Sequence, residues 1–203
     1  YAQRFEATLE GDAWSAYRHV RTLLAGGFSG FLRTAEDHAM LSLSPERFLR
    51  IHQGTVTSQP IKGTAPRHID PEQDTALARA LLNSEKDRAE NVMITDLLRN
   101  DLGQFCQTGS VNVTELCGLH SYNNVHHLVS TVEGKLAPGV SAGQMLLATS
   151  PGGSITGAPK KRAVEIIAEL EPAPRGAYCG SLFILGGDNW LQSLRIRNNI
   201  NGI

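Results

Sequence analysis

The chain has 203 residues, of which 41% are hydrophobic and 19% charged. This apolar content is sufficient for one hydrophobic core of ordinary size and argues against disorder. Lysine and arginine number 19 against 20 acidic residues, so the net charge of -1 at pH 7 favours neither nucleic acid nor an anionic membrane as a partner. No apolar run approaches the roughly 18 residues of a membrane span, and no signal peptide is evident. Cys106, Cys117 and Cys179 lack disulfide or zinc spacing, which predicts reduced thiols in a cytoplasmic protein.

Apolar periodicity predicts helices and antiparallel strands that are segregated along the chain. A helix over 13–24 precedes two hairpins, with arms at 30–33 and 39–43 and at 48–51 and 55–58. Further helices are predicted at 72–82, 87–102, 141–148 and 159–170, and further strands at 110–116 and 127–132. This order favours an α+β fold over a doubly wound sheet.

The two ends of the chain both look like β structure. The chain opens within a strand-like segment, and the last strand runs into an Asn201-Gly202 turn signal that has no second arm. We therefore expect residues 1–203 to form one domain that is incomplete at both ends, with unpaired sheet edges and marginal stability.

The helix predicted over 87–102 has two local signals. Ser84 with Asp87 three residues later is a capping-box arrangement. Ala89, Met93 and Leu97 recur at intervals of four residues, so we expect them to face the core.

Lys62 is the first candidate for chemistry. It lies in Gln59-Pro60-Ile61-Lys62-Gly63-Thr64, where we expect proline and glycine to hold it on a rigid turn. An amine held in this way can act as a nucleophile. The alternative is a solvated loop lysine.

Three carboxylates are candidates for acid or metal chemistry. Glu46 ends an apolar strand and could act as a general acid, although an ion pair with Arg47 or Arg50 is the simpler interpretation. Asp87 and Glu90 lie three residues apart on one helical face and could share Mg²⁺. Most such charged runs are solvated helix surface.

The segments after residue 125 offer candidates for ligand binding. The glycine-rich stretch 151–160 opens a helix and could hold an anion, but it is no Walker A loop, and a simple pair of helix caps is the alternative. His126 and His127 are adjacent in a strand and should point to opposite faces, so they should not ligate one metal. Tyr178 and Arg197 could together bind a carboxylate if they face one cavity.

In order and spacing these segments resemble the chorismate-binding enzyme family. The resemblance covers nearly the whole chain and rests on SLSPERFL, QPIKGTAPR, SEKDRAENVMITDLLRNDLG, VHHLVSTV, PGGSITGAPKKRAVEII and RGAYCGS. It implies antiparallel sheets packed together with helices on the outside. Lys62 is similar to the lysine of the aminodeoxychorismate synthases, whereas anthranilate synthases typically carry alanine there.

The resemblance also implies roles for the candidate residues. Lys62 would attack C2 of chorismate as the C4 hydroxyl leaves, ammonia would add at C4, and Glu46 would protonate the leaving hydroxyl. Glu90, with Asp87 nearby, would bind a Mg²⁺ that neutralises the ring carboxylate. The residues implied to line the substrate site are Gly63, Thr64, His127, Ser154, Tyr178 and Arg197.

The resemblance further implies a partner and leaves alternatives. Ammonia would come from a glutamine amidotransferase subunit, in para-aminobenzoate and folate synthesis. The strand bearing Arg197 departs from the family pattern, and the family continues beyond both ends of this chain, so we expect the chain alone to be inactive. The alternatives are an anthranilate synthase component, an isochorismate or salicylate synthase relative, and a catalytically incomplete scaffold.

Overall fold

The computed structural model describes residues 2, 5–8, 10–23, 27–187, 190–195 and 200–201. The helices in these ranges are α1 (Ala13–Leu23), α2 (Pro71–Leu82), α3 (Glu85–Gly103), α4 (Ala142–Thr149), α5 (Gly153–Thr156) and α6 (Lys160–Leu170). The strands are β1 (Phe28–Arg33), β2 (Ala39–Ser44), β3 (Arg47–His52), β4 (Thr55–Gln59), β5 (Ile61–Pro66), β6 (Asn112–Ser121), β7 (Val125–Lys135), β8 (Ser181–Leu185), β9 (Leu191–Arg195) and β10 (Ile200–Asn201).

The strands form two antiparallel sheets. In the described part of the chain, a seven-stranded sheet has the order β5-β7-β4-β3-β9-β8 with β6 also paired to β7, and a three-stranded sheet has the order β1-β2-β10. Both predicted hairpins are present, with Gly30 opposite Ser42 and Ile51 opposite Val56. The prediction of an α+β fold with antiparallel sheets is confirmed.

Helix α3 packs on the seven-stranded sheet, but not with the predicted face. Ala89 is exposed, Met93 is 47% exposed, and Leu97 is only half-buried. The residues of α3 that are buried are Asn91, Ile94, Thr95, Leu98, Asp101 and Leu102. Sequence periodicity missed this face because polar Asn91, Thr95 and Asp101 interrupt its apolar stripe.

Strand β5 replaces the rigid turn that was expected around Lys62, so that prediction is wrong. The register of β5 against β7 shifts between Ile61 and Thr64, and Gly63 in this interval has a φ of +90°. A Cβ on Gly63 would lie 3.0 Å from Asp87 Cβ and 3.2 Å from Leu81 Cδ1. Glycine therefore meets two demands here, a left-handed backbone and close contact with α2 and α3.

Two helix starts also differ in detail from the sequence expectations. Ser84 caps α3, but its hydroxyl both accepts from the Asp87 backbone N–H at 3.3 Å and donates to Asp87 Oδ2 at 2.5 Å. The carboxylate thus bonds to the capping hydroxyl rather than to the Ser84 backbone N–H of a capping box. Pro159 is the N-cap of α6, whose first residue is Lys160. None of the helices in the described ranges is long and apolar enough to cross a membrane.

We predict that Gly63→Ala lowers the free energy of unfolding by about 2–4 kcal/mol, since it adds overpacking to the strain of a positive φ. The matched control is Gly54→Ala, because Gly54 has a φ of +73° but open space around the new Cβ, so it should lose only about 1–2 kcal/mol. Urea unfolding of both variants measures the difference. Equal losses would show that α2 and α3 do not press on Gly63.

Candidate active site

Glu46 lies in the link between β2 and β3 and is only 2% exposed. Its backbone N–H donates to Ser44 Oγ at 3.1 Å, and Ser154 Oγ donates to its Oε1 at 3.0 Å. A buried carboxyl group needs such partners, because an uncompensated one would carry a large desolvation penalty. The contact brings together two predicted site residues that are 108 positions apart.

Ser154 is placed by the short helix α5. The preceding Gly153 is buried with its backbone directly against the Leu97 side chain of α3, where any Cβ would collide with Leu97. This close approach seats α5 on α3 and directs Ser154 toward Glu46. The glycine-rich segment therefore acts in packing, and α5 has only four residues.

Lys62 is half-buried on β5, and its backbone carbonyl accepts a hydrogen bond from Asn91 Nδ2 at 3.4 Å. Within the described residues, the Lys62 side chain has no hydrogen-bond or ion-pair partner. The neighbouring Gly63 packs against Asp87 of α3. The amine thus belongs to a strand segment that lies directly on the first turns of α3.

Asp87 and Glu90 are both half-buried on α3. Ser84 occupies one oxygen of Asp87, and among the described residues the Glu90 carboxylate has no hydrogen-bond or ion-pair partner. No group of three His, Cys, Asp or Glu residues within the described ranges could hold a metal ion. Proteins often bind Mg²⁺ through only one or two carboxylates, with water and substrate oxygens as the other ligands. The two carboxylates fit such a partial site.

Thr64 and His127 face each other across β5 and β7. Thr64 Oγ1 lies 2.9 Å from His127 Nδ1, and the Tyr122 ring packs edge-on against the imidazole at 5.7 Å. His126 projects from the other face of β7, where its Nε2 lies 3.1 Å from Asp74 Oδ1 on α2. The prediction that the two histidines face opposite sides is confirmed.

Asp74 is not among the site residues predicted from the sequence. Its carboxylate accepts from Arg67 Nε at 2.9 Å, from the His68 backbone N–H at 2.8 Å, and lies against His126. These hydrogen bonds, that of Arg67 above all, hold the pKa of Asp74 well below its usual range. The cluster ties the N-terminal part of α2 to β7 on the face of the sheet opposite to Thr64 and His127.

Tyr178 lines a cavity of about 250 Å³ together with Ile155, Thr156 and Arg175. The predicted partner, Arg197, lies outside the described residues. Among the described residues, Arg175 lies beside the phenol, with its guanidinium 6.0 Å from the centre of the Tyr178 ring. Burial is the main reason why the pKa of Tyr178 is raised. The phenol is therefore a neutral hydrogen-bond donor near pH 7.

Arg175 was missed, although the spacing in Arg175-Gly176-Ala177-Tyr178 placed it near the phenol. Its guanidinium binds Glu171 through two hydrogen bonds, Nε to Oε2 at 2.8 Å and Nη2 to Oε1 at 2.6 Å. Such a paired arginine positions the loop after α6. The pair holds the pKa of Glu171 below its usual range.

Helix α3 is the element shared by these groups, since it contacts both β5 and α5. The structure thus places Lys62 and Gly63 of β5 against the first turns of α3, which carry Asp87 and Glu90. Further along α3, Leu97 contacts Gly153, and the next residue, Ser154, bonds to Glu46. Thr64 and His127 form a third group at the end of β5. Tyr178 lies across a cavity whose wall includes Ile155 and Thr156, the two residues after Ser154.

The chain is similar to a known enzyme family and to curated proteins of that family. The profile of the family described as chorismate binding enzyme matches residues 1–200. Aminodeoxychorismate synthase component 1 of Klebsiella aerogenes is 54% identical over 89% of the chain and 40% of the relative, and that of Escherichia coli K12 is 49% identical over 99% of the chain and 45% of the relative. The chain thus spans less than half the length of these relatives.

A solved structure has the same fold. The crystal structure of anthranilate synthase component I from Streptococcus pneumoniae TIGR4 superposes with a TM-score of 0.85 at 34% identity, over 95% of the chain and 42% of that protein. The matched region therefore has the same arrangement of strands and helices in both proteins.

We predict that Tyr178→Phe removes a titration step above pH 10.0, the ordinary pKa of tyrosine, when phenolate absorbance is followed in the ultraviolet. Because the folded protein favours the neutral phenol, the stability from this burial is present below pH 10 and is lost as the pH rises through the raised pKa. Tyr122→Phe, which changes a half-buried tyrosine outside this cavity, is the control. Loss of a step at or below pH 10 would contradict the burial of Tyr178.

Proposed function

We propose, because the chain belongs to the chorismate-binding enzyme family, that it carries the catalytic residues of an aminodeoxychorismate synthase, which converts chorismate and ammonia to 4-amino-4-deoxychorismate. The observation that carries this proposal is the position of Lys62, an unpaired amine within the described residues, on the strand that packs against the carboxylate-bearing turns of α3. The two component 1 relatives reported above support it.

Lys62 acts as the nucleophile in this proposal. Its amine, once deprotonated, forms a bond to C2 of chorismate, the ring double bonds shift, and the bond from C4 to the hydroxyl oxygen breaks. Ammonia then forms a bond to C4, the double bonds shift back, and the bond between C2 and Lys62 breaks. The lysine is regenerated, and the net change is replacement of hydroxyl by amine.

Glu46 supplies the proton for the leaving hydroxyl. Hydroxide is a poor leaving group, so the step from C4 needs a general acid. The carboxyl group is almost fully buried, and Ser154 orients it by a hydrogen bond of 3.0 Å. Burial keeps bulk water away from the acid, and the serine restricts its rotation.

Glu90 and Asp87 would hold Mg²⁺, and the ion would supply positive charge for the ring carboxylate of the substrate. Glu90 has no competing partner within the described residues, which leaves both of its oxygens available. Asp87 keeps one oxygen on Ser84 and contributes the other. The protein's part is to orient these two carboxylates from consecutive turns of one helix.

Thr64, His127 and Tyr178 orient the substrate. The hydrogen bond between Thr64 and His127 fixes the imidazole beside β5. Thr64 directly follows Gly63, whose lack of a side chain lets this segment lie close to α3. The neutral phenol of Tyr178 suits a carboxylate acceptor such as that of the enolpyruvyl group, with Arg197 as its charged partner.

The ammonia would come from a glutamine amidotransferase subunit in the cytoplasm, as part of para-aminobenzoate and folate synthesis. The component 1 names of the relatives are consistent with a second component. An anthranilate synthase is the second candidate, favoured by the structural likeness to that enzyme from Streptococcus pneumoniae. Lys62 argues against it and against an isochorismate or salicylate synthase. A scaffold without activity is a further alternative, since the chain spans less than half of its relatives.

The experiment that tests the function is chromatography of the products formed from chorismate and ammonium by the longest natural form of the protein. We predict that Lys62→Ala lowers formation of 4-amino-4-deoxychorismate at least about a hundredfold, because the covalent route is lost. Residual product should shift toward anthranilate if ammonia attacks C2 directly. Lys86→Ala, an exposed lysine on α3, is the control and should keep wild-type activity.

A mass increase on Lys62 after trapping with a chorismate analogue would support the covalent step. Full activity in Lys62→Ala, or a modification on a different residue, would contradict the assignment.

We predict that Glu90→Gln and Glu46→Gln fail in different ways. Loss of a metal-binding carboxylate should raise the Mg²⁺ concentration for half-maximal activity at least about tenfold, whereas loss of the acid should lower turnover by about 100-fold even at saturating Mg²⁺. Glu85→Gln, an exposed carboxylate in the first turn of α3, is the control. Rescue of Glu46→Gln by excess Mg²⁺ would show that the two roles are wrongly assigned.

A further inference from the structure

Asn91 is fully buried, with 0% exposure, on the face of α3 that contacts the sheet. Its Nδ2 donates to the backbone carbonyl of Leu128 on β7 at 3.0 Å and to that of Lys62 on β5 at 3.4 Å. Its Oδ1 accepts from Ser130 Oγ at 2.5 Å, and Thr95 Oγ1, which donates to the Asn91 backbone carbonyl at 2.8 Å, lies 3.3 Å from the same Oδ1. Both ends of the amide are therefore satisfied, and by groups on three different elements.

The hydrogen-bond network extends from the Asn91 side chain through Ser130. Ser130 Oγ also accepts from the Cys117 backbone N–H at 2.9 Å, and the Ser130 backbone N–H donates to the Pro60 carbonyl at 3.1 Å. The network thus joins α3 to β6, to β7 and to the chain just before Lys62. A buried network that is satisfied in this way holds one arrangement of its elements, because any shift leaves polar groups without partners.

This arrangement bears on the site because the reactive groups lie on different elements. Lys62 is carried by β5, an edge strand of the described sheet, whereas Glu90 and Asp87 are carried by α3, one and four residues before Asn91. An edge strand is held by a neighbour on one side only. The Asn91 amide supplies a direct bond from the helix of the carboxylates to the backbone of Lys62.

We propose that Asn91 is a positioning residue, which sets the separation between the Lys62 amine and the carboxylates of Asp87 and Glu90. The inference rests on the proposed function and goes beyond it, since Asn91 acts through Lys62 and touches no reacting atom. A misplacement of about 1 Å can lower a rate about a hundredfold. The network therefore matters more for turnover than for substrate affinity.

The test compares four variants in the longest natural form of the protein. Asn91→Asp keeps the size of the side chain and the acceptor for Ser130 but loses both N–H donors to the carbonyls of Lys62 and Leu128. Asn91→Ala removes the whole amide. Ser130→Ala removes the donor that orients the amide. Leu98→Ala is the matched stability control, because Leu98 is buried on the same helix and belongs to the hydrophobic core cluster.

We predict that both Asn91 variants lower kcat for amination by about 10-fold to 100-fold, with KM for chorismate within about threefold of wild type. Ser130→Ala should lower kcat about threefold or more. Leu98→Ala should lose as much thermal stability with kcat within about threefold of wild type. Binding of Mn²⁺ to Asn91→Ala, followed by electron paramagnetic resonance without chorismate, should also stay within about threefold, because both carboxylates move together with α3.

An unchanged kcat in Asn91→Asp would overturn the inference, as would an equal loss of kcat in Leu98→Ala. Weakening of Mn²⁺ binding tenfold or more would place the effect on the carboxylates themselves and would also overturn it. If neither Asn91 variant folds, Ser130→Ala decides, and an unchanged kcat there is again a refutation. A wild-type protein without amination would refute the proposed function together with this inference, whereas wild-type amination with unaffected variants would refute the inference alone.

Discussion

The packing of α3 on the seven-stranded sheet is the constraint on which the candidate site depends. Ile94, Leu98 and Leu102 bury the helix in the main core, and burial of such side chains contributes about 1.5–3 kcal/mol each. The same face carries Asn91, whose hydrogen bonds fix where the helix lies along β5 and β7. Hydrophobic burial holds α3 on the sheet, and the hydrogen bonds of the Asn91 amide fix its position along β5 and β7.

The other parts of the site are placed by reference to that helix. Gly63 permits β5 to approach its first turns, and Gly153 permits α5 to approach Leu97. At the opposite end, Lys160 Nζ contacts the buried Asp101 at 2.6 Å and attaches the start of α6. A side chain at either glycine would force its neighbours to shift, and a buried charge requires its partner. Small changes at these points should therefore move the candidate site residues.

The two hairpins, the helices other than α5 and the opposite orientation of His126 and His127 could be predicted, because they follow from short-range periodicity. Two predictions are wrong, the turn at Lys62 and the buried face of α3. The proline and glycine that flank Lys62 predict a turn, yet pairing with β7 draws the segment into β5. The spacing of Ala89, Met93 and Leu97 predicts the wrong face of α3, since a buried polar residue such as Asn91 has no hydrophobic signal. In both cases tertiary contacts override local preference.

The sequence by itself determined the family, because the long motifs around Lys62, Glu46 and Glu90 are local stretches of residues that can be recognised without the fold. It also determined the α+β class, since apolar periods of about 2 and 3.6 residues reflect strand and helix geometry. Only the tertiary structure decided which groups meet. Ser154 reaches Glu46 across 108 residues, and Asn91 reaches the Lys62 carbonyl across 29. Such contacts depend on how distant segments pack together in the core, and local sequence patterns contain no information about that packing.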